Sequence, residues 1–251
     1  MSISIMKPTA NPRLAVMGKG YHNTLFCFSP PVMILTCITE LGLLIYTTWR
    51  YRFNPLSRLV ILLLLLLALF QLSEFRVCAG STSLAQWSHF GYVAITLLPP
   101  LGIHITQTIW GRRNRLLILT GYATAAAFVA YFALSAGSLT GHACLGNYVI
   151  FQVNNGLTWL YALYYYGWVL IGLCLSLWYA RQSKLKRQRQ ALYGFTLGYA
   201  VFLVPTTTVN LLDRATLNGI PSIMCGFAVL LAIIVVTWVM PRVGKPRSSI
   251  R

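Results

Sequence analysis

The chain has 251 residues, 57% of them hydrophobic and only 9% charged, where a soluble domain carries roughly 25% charged residues. A soluble fold this apolar could not clothe its surface in polar groups, so the composition excludes an ordinary soluble protein and points to one dissolved in lipid. The formal charge of +17 arises from 20 Lys and Arg against three acids; because the bases cluster between apolar runs, they fit juxtamembrane loops near anionic lipid and not nucleic-acid binding.

In chain order, residues 1–31 carry Lys7, Arg13 and Lys19. No apolar core of signal-peptide length precedes Ser29-Pro30-Pro31, so the first membrane helix is expected to act as its own insertion signal. Seven apolar runs follow, at about 32–49, 58–75, 88–109, 115–136, 157–180, 190–212 and 220–240, each near the roughly 20 residues that span a bilayer. The expected architecture is an all-α, polytopic bundle of seven transmembrane helices. It divides into an extracytoplasmic segment (1–31), the membrane domain (32–240) and a basic cytoplasmic tail (241–251).

Orientation follows from the bases. The connections after the first, third and fifth runs, with the tail, hold fifteen Lys and Arg, and the opposite side holds five. This bias alternates at every loop, which places the N-terminus outside and the C-terminus in the cytoplasm, in a multi-pass protein of a bacterial inner membrane. Pro99-Pro100 within the third run and Pro205 within the sixth are expected to kink their helices, because proline lacks a donor. Trp49, Tyr51, Trp87, Trp110, Trp178 and Tyr179 fall near helix ends, as an interfacial aromatic belt would.

Of six cysteines, Cys37, Cys174 and Cys225 lie inside apolar runs and read as small core hydrophobes. Cys78 and Cys144 fall on the outer side and form the candidate disulfide, with Cys27 as the competing partner. No cysteine or histidine spacing suits zinc.

Ionisable residues inside a membrane are costly and therefore functional candidates. Glu40 sits near the middle of the first helix and His104 within the third, with Gln107 three residues on. These two are the candidate buried polar groups. Gln71, Glu74, His89, Tyr92, Asn154, Asn155, Asn210 and Asp213 fall in the outer half. Seven of them, Glu74, Gln71, His89, Tyr92, Asn155, Asn210 and Asp213, are the candidate ligand-binding set, and they could line one outward-facing cavity. The competing reading is a series of separate hydrogen bonds at wet helix ends, and for Glu40 an interhelical hydrogen bond in its protonated form. No HExxH, GxSxG or phosphate-binding glycine loop occurs. With one clearly intramembrane histidine and no lysine in the seventh helix, neither bis-histidine haem nor a retinal Schiff base is expected, and no cofactor or metal is assigned.

The stretch Gln86-Trp87-Ser88-His89-Phe90-Gly91-Tyr92-Val93-Ala94-Ile95-Thr96-Leu97-Leu98-Pro99-Pro100 resembles the seven-helix N-terminal sensor region of some bacterial histidine kinases. So does the run from Arg187-Gln188-Arg189-Gln190-Ala191-Leu192 through Gly198, Pro205 and Asn210, and the Gly219-Ile220-Pro221-Ser222 turn. The resemblance covers about residues 32–240 and implies a sensor of an extracytoplasmic ligand or of membrane state. Such sensors carry an output domain after the seventh helix, whereas this sequence runs only about ten residues past Met240. The expected function is therefore a receptor-like membrane protein that binds a small or lipidic ligand and signals to a cytoplasmic partner. A small-solute or ion transporter, a membrane enzyme acting on a lipid or quinone through Glu74, His89 and His142, and an accessory subunit remain as alternatives.

Overall fold

The computed structural model describes residues 30–79, 84–135, 139–145, 148–153, 157–212 and 220–247. The elements in order are α1 (Pro30–Arg50), α2 (Pro55–Cys78), α3 (Leu84–Thr96), α4 (Leu98–Trp110), α5 (Arg115–Leu134), β1 (Leu139–Leu145), β2 (Tyr148–Val153), α6 (Thr158–Gln182), α7 (Lys186–Leu212) and α8 (Ile220–Ile234). A π-helical turn, Val235–Val239, then leads into the short α9 (Met240–Val243).

Local chemistry sets several of these boundaries. Pro55 sits in the first turn of α2, where its missing N–H costs nothing, and the Asn54 side chain caps that helix by accepting from Ser57 N at 2.8 Å. Asn114 caps α5 in the same way through Leu117 N at 3.2 Å. Gly111 closes α4 in the left-handed region, at φ +81°, where a side chain would be strained.

Six stretches are long and apolar enough to cross a membrane: Val32–Arg50, Pro55–Cys78, Gln86–Trp110, Arg115–Leu134, Thr158–Gln182 and Gly226–Val243. The chain is thus a multi-pass helical membrane protein. Its α7, with 27 residues, is about 40 Å long at 1.5 Å per residue. Threonine, tyrosine and glycine dilute the hydropathy of α7.

The helices are apolar on the outside. On α1 the buried positions are Met33, Thr36, Glu40, Thr47 and, just beyond the helix, Tyr51, one stripe at helical spacing. Its outward face carries Leu35, Ile38, Ile45 and Trp49, all exposed. Polar inside and apolar outside is the pattern of a helix whose solvent is lipid.

At the centre stand α2 and the α3–α4 pair. The first packs against α1, α3, α4 and α8, while α4 packs against α5, α6 and α7. Contacts of α7 with α6 and α8, and of α8 with α1, close the ring. The third expected run is two helices: α3 stops at Thr96 and α4 starts at Leu98, because Pro99 and Pro100 offer no N–H to the carbonyls of Ile95 and Thr96. Pro205, by contrast, leaves α7 continuous. Thr206, Thr207 and Thr208 there donate to the carbonyls of Phe202, Leu203 and Val204 at 2.7, 2.7 and 2.9 Å.

The connection between α5 and α6 contains an antiparallel hairpin, with Cys144 opposite Val149 and Leu145 opposite Tyr148. Its strands approach α3 and α8. Two sequence readings are corrected. Cys174 is exposed on the lipid-facing surface of α6 and is no core residue; in lipid an apolar side chain can face either way. Tyr51 and Tyr179 are buried and not part of an exposed belt.

At the end of the bundle where α4 finishes and α7 starts, side chains tie the helices together. The Gln188 amide donates to the carbonyls of Ile109 and Trp110 at 2.7 and 2.8 Å and accepts from Ser183 at 2.8 Å, which satisfies carbonyls that α4 leaves open. Trp110 stacks on Tyr179, centroids 4.9 Å apart. Trp238 Nε1 donates to the Gln190 carbonyl at 3.1 Å, and the Arg242 guanidinium lies 3.7 Å from the Trp238 ring. Residues 245–247 then pair with the α1–α2 loop: Arg52 N donates to Lys245 O at 2.9 Å and Arg247 N to Arg50 O at 3.0 Å. Burial at this seam pushes the Tyr51 phenol above its usual pKa.

Candidate functional site

The polar stripe of α1 delivers Glu40 into the bundle. Its carboxyl is 0% exposed, and neither oxygen has a hydrogen-bond partner among the described residues. Thr36 and Thr47, the other polar members of the stripe, satisfy themselves by bonding to their own helix's carbonyls. Glu40 has no such recourse. Cys37, one turn earlier, donates its thiol to Ala68 O of α2 at 3.5 Å and fixes the two helices at this level.

Opposite, α2 presents Gln71 and Glu74, three residues apart on one face and both buried. Glu74 lies within electrostatic range of Glu40 and of the Tyr92 phenol on α3. The amide nitrogen of Gln71 is buried without a partner among the described residues. Tyr92 is walled by Phe132 and Tyr161, at 4.8 and 5.7 Å between centroids. Arg76, two residues past Glu74, lies 5.2 Å from the Trp87 ring. Glu74 thus links Glu40 and Tyr92 electrostatically, and with Gln71 one turn away on α2 these four are the buried polar cluster of α1, α2 and α3.

Below this cluster a tyrosine clamp holds the helix break. Thr96 donates to the Tyr92 carbonyl at 2.6 Å, and its hydroxyl lies 3.1 Å from that of Tyr161. The Thr96 carbonyl, which Pro100 deprives of its helical donor, accepts from the Tyr164 hydroxyl at 2.7 Å. The break is thus closed by α6. Tyr92, Phe128, Phe132, Tyr161 and Tyr164 are in continuous ring contact around it.

Further from the cluster, the bundle holds a narrow apolar cavity of ≈ 30 Å³ lined by Leu67, Pro99, Gly102, Tyr199 and Met224 among others. The Tyr199 hydroxyl enters a slot between Gly102 of α4 and Gly172 of α6, where either Cβ would collide with it.

Of the expected ligand-binding set, Gln71, Glu74 and Tyr92 come together, and Glu40 joins them. All four are buried. His89 is half-buried and engaged elsewhere: its ring nitrogen bonds to the Phe132 carbonyl near the end of α5, a helix-capping contact. His104, also half-buried, meets the Tyr122 hydroxyl at 3.3 Å and ties α4 to α5. Gln107 accepts from Asn114 N at 2.7 Å and braces the α4–α5 turn. Asn154, Asn155 and Asp213 lie outside the described residues, as do the side chains of Asn210, His142 and Cys144.

Residues to which the sequence reading assigned no role are Tyr161, Tyr164, Gln188 and Tyr199. Their signal was present: the double proline demands outside donors, and Tyr161 and Tyr164 are spaced one turn apart on a single helix face. The cluster's carboxyls, amide and phenol bring hydrogen-bond acceptors and donors into a dry setting. Compared with known proteins, the chain matches no protein-family model, and no curated protein resembles it in sequence.

Proposed function

We propose that this chain is a seven-helix, receptor-like protein of a bacterial inner membrane, with its N-terminus outside and its C-terminus in the cytoplasm. It takes the polar group of a small or lipidic ligand at the cluster of Glu40, Gln71, Glu74 and Tyr92. The observation that carries this is Glu40, a fully buried acid in a membrane helix with no hydrogen-bond partner for either oxygen among the described residues. Acids at such depth mark functional positions. The orientation draws on the bases, the helix count on the length of α7, and the sensor reading on the resemblance of the third and sixth runs.

A route for the signal follows from the contacts. The cluster adjoins the clamp at Thr96, α4 begins there, and the far end of α4 is held by Gln188 of α7. A ligand that moves Tyr92 would shift the clamp and, through α4 and α7, the end of the bundle that a cytoplasmic partner would meet. A staple between Cys78 and Cys144 would fasten the hairpin to α2. Cys78 is not among the free thiols, which is compatible with Cys144 or Cys27 as its partner. A transporter reading draws on the same carboxyls, but the cavity next along the bundle is apolar, which disfavours a continuous polar path.

The test is native mass spectrometry of the purified protein. A molecule that survives detergent exchange on the wild type and is lost from both Glu40→Gln and Glu74→Gln supports the reading. A wild type that carries nothing, and whose melting is unmoved by a bacterial lipid extract, refutes it.

A further inference from the structure

We propose that the end of the bundle formed by the α1–α2, α4–α5 and α6–α7 connections binds the phosphates of anionic phospholipid headgroups, centred on Arg112, Arg113 and Arg115. Fourteen of the fifteen described Lys and Arg belong to this end, Arg76 being the exception, and none of the chain's three acids falls in its loops. Topology alone would be served by fewer charges placed anywhere in these loops.

Their placement says more. The helices α2, α5 and α7 all start here, and none has an acid in its first turn. Helix starts carry a partial positive charge, so bases there add to an unfavourable potential. The α5 start is the most extreme case. Arg112 and Arg113 precede the cap, Arg115 is the first helical residue, and all three are exposed. Arg242, in contrast, is occupied by Trp238 and Gln190. An anion supplied from outside is what relieves this potential.

The level of the site selects the anion. The connections are short, residues 51–54, 111–114 and 183–185, so the bases cannot reach beyond the headgroup layer. Exposed Trp49, Phe53, Leu116, Trp178 and Leu185 lie beside them, which is the mixture of apolar and basic groups that sits at a lipid interface. A soluble acidic partner would need bases carried clear of the membrane.

The experiment places the full chain in phosphatidylcholine nanodiscs doped with phosphatidylglycerol and counts lipids retained on gentle delipidation by mass spectrometry. Wild type enriches phosphatidylglycerol, and enrichment falls as salt rises. Each arginine contributes about fivefold, so Arg112→Gln/Arg113→Gln/Arg115→Gln loses about 100-fold; the matching lysine triple retains most of the preference, and Arg76→Gln changes nothing. Equal retention of the two lipids by wild type, or a preference insensitive to salt, overturns the proposal, as does an unchanged preference in the glutamine triple. Should that triple not fold, the salt titration of the wild type decides alone.

Discussion

Replacing Tyr164 by Phe removes one hydroxyl and nothing else, and the structure says what that hydroxyl holds. It donates to the Thr96 carbonyl at 2.7 Å, in a buried site, where Pro100 has removed the helix's own donor. Leaving a buried carbonyl unsatisfied costs about 1–3 kcal/mol, and interhelical hydrogen bonds measured in membranes reach about 1.7 kcal/mol. We therefore expect Tyr164→Phe to destabilise the protein by about 1–2 kcal/mol, read as a shifted midpoint of SDS unfolding in mixed micelles. The sharper test is a cycle with Pro100→Ala. Alanine returns an N–H to the helix, which can take over the Thr96 carbonyl, so in that background Tyr164→Phe should cost under about 0.5 kcal/mol. The reasoning rests on that coupling of about 1 kcal/mol. Strict additivity of the two changes would falsify it, even if each single variant were unstable.

Other expectations test separate parts of the fold. Gly102→Ala drives a methyl into the Tyr199 hydroxyl and should lower thermal stability by about 1–3 kcal/mol; adding Tyr199→Phe, which deletes the colliding atom, should restore most of it. Gln188→Ala uncovers the carbonyls of Ile109 and Trp110 and should cost about 1–3 kcal/mol in the same SDS assay, whereas Gln190→Ala, which keeps its backbone bond to Trp238, should cost less. Burial raises the folded Tyr51 pKa above its usual 10.0, so the neutral phenol's contribution is complete below about pH 10 and is lost as pH rises through the folded value. The alkaline loss of stability should shrink in Tyr51→Phe, followed by ultraviolet titration and melting; an identical alkaline limb in both proteins would remove Tyr51 from the account.

The loops were legible in the sequence because charge is: Arg50 to Arg58, Arg112 to Arg115 and Lys184 to Arg189 each announce a helix end. The break at Leu97 was legible as chemistry, since two adjacent prolines must orphan two carbonyls, but the donor that repairs it, Tyr164, sits 68 residues away. Which side of an apolar helix faces inward was less legible. Lipid accepts Cys174 as readily as a core does, so hydrophobicity carries no direction. On α1 the polar positions Thr36, Glu40 and Thr47 gave that direction. His89 illustrates the limit: its residue type suggested a binding role, and only the proximity of the end of α5 shows it capping a helix.

The closing of the ring by α8 against α1 has a bearing on biogenesis. Helices enter the membrane in order, so α1 meets α2 at once but must wait until residues 220–234 are made before α8 arrives. Through that interval the stripe of Thr36, Glu40 and Thr47 is covered on one flank only, and an acid is left beside lipid. The polar stripe of α1 is thus among the last surfaces of the bundle to be fully covered. The pairing of residues 245–247 with the α1–α2 loop comes later still and fastens the first helices to the segment after α9.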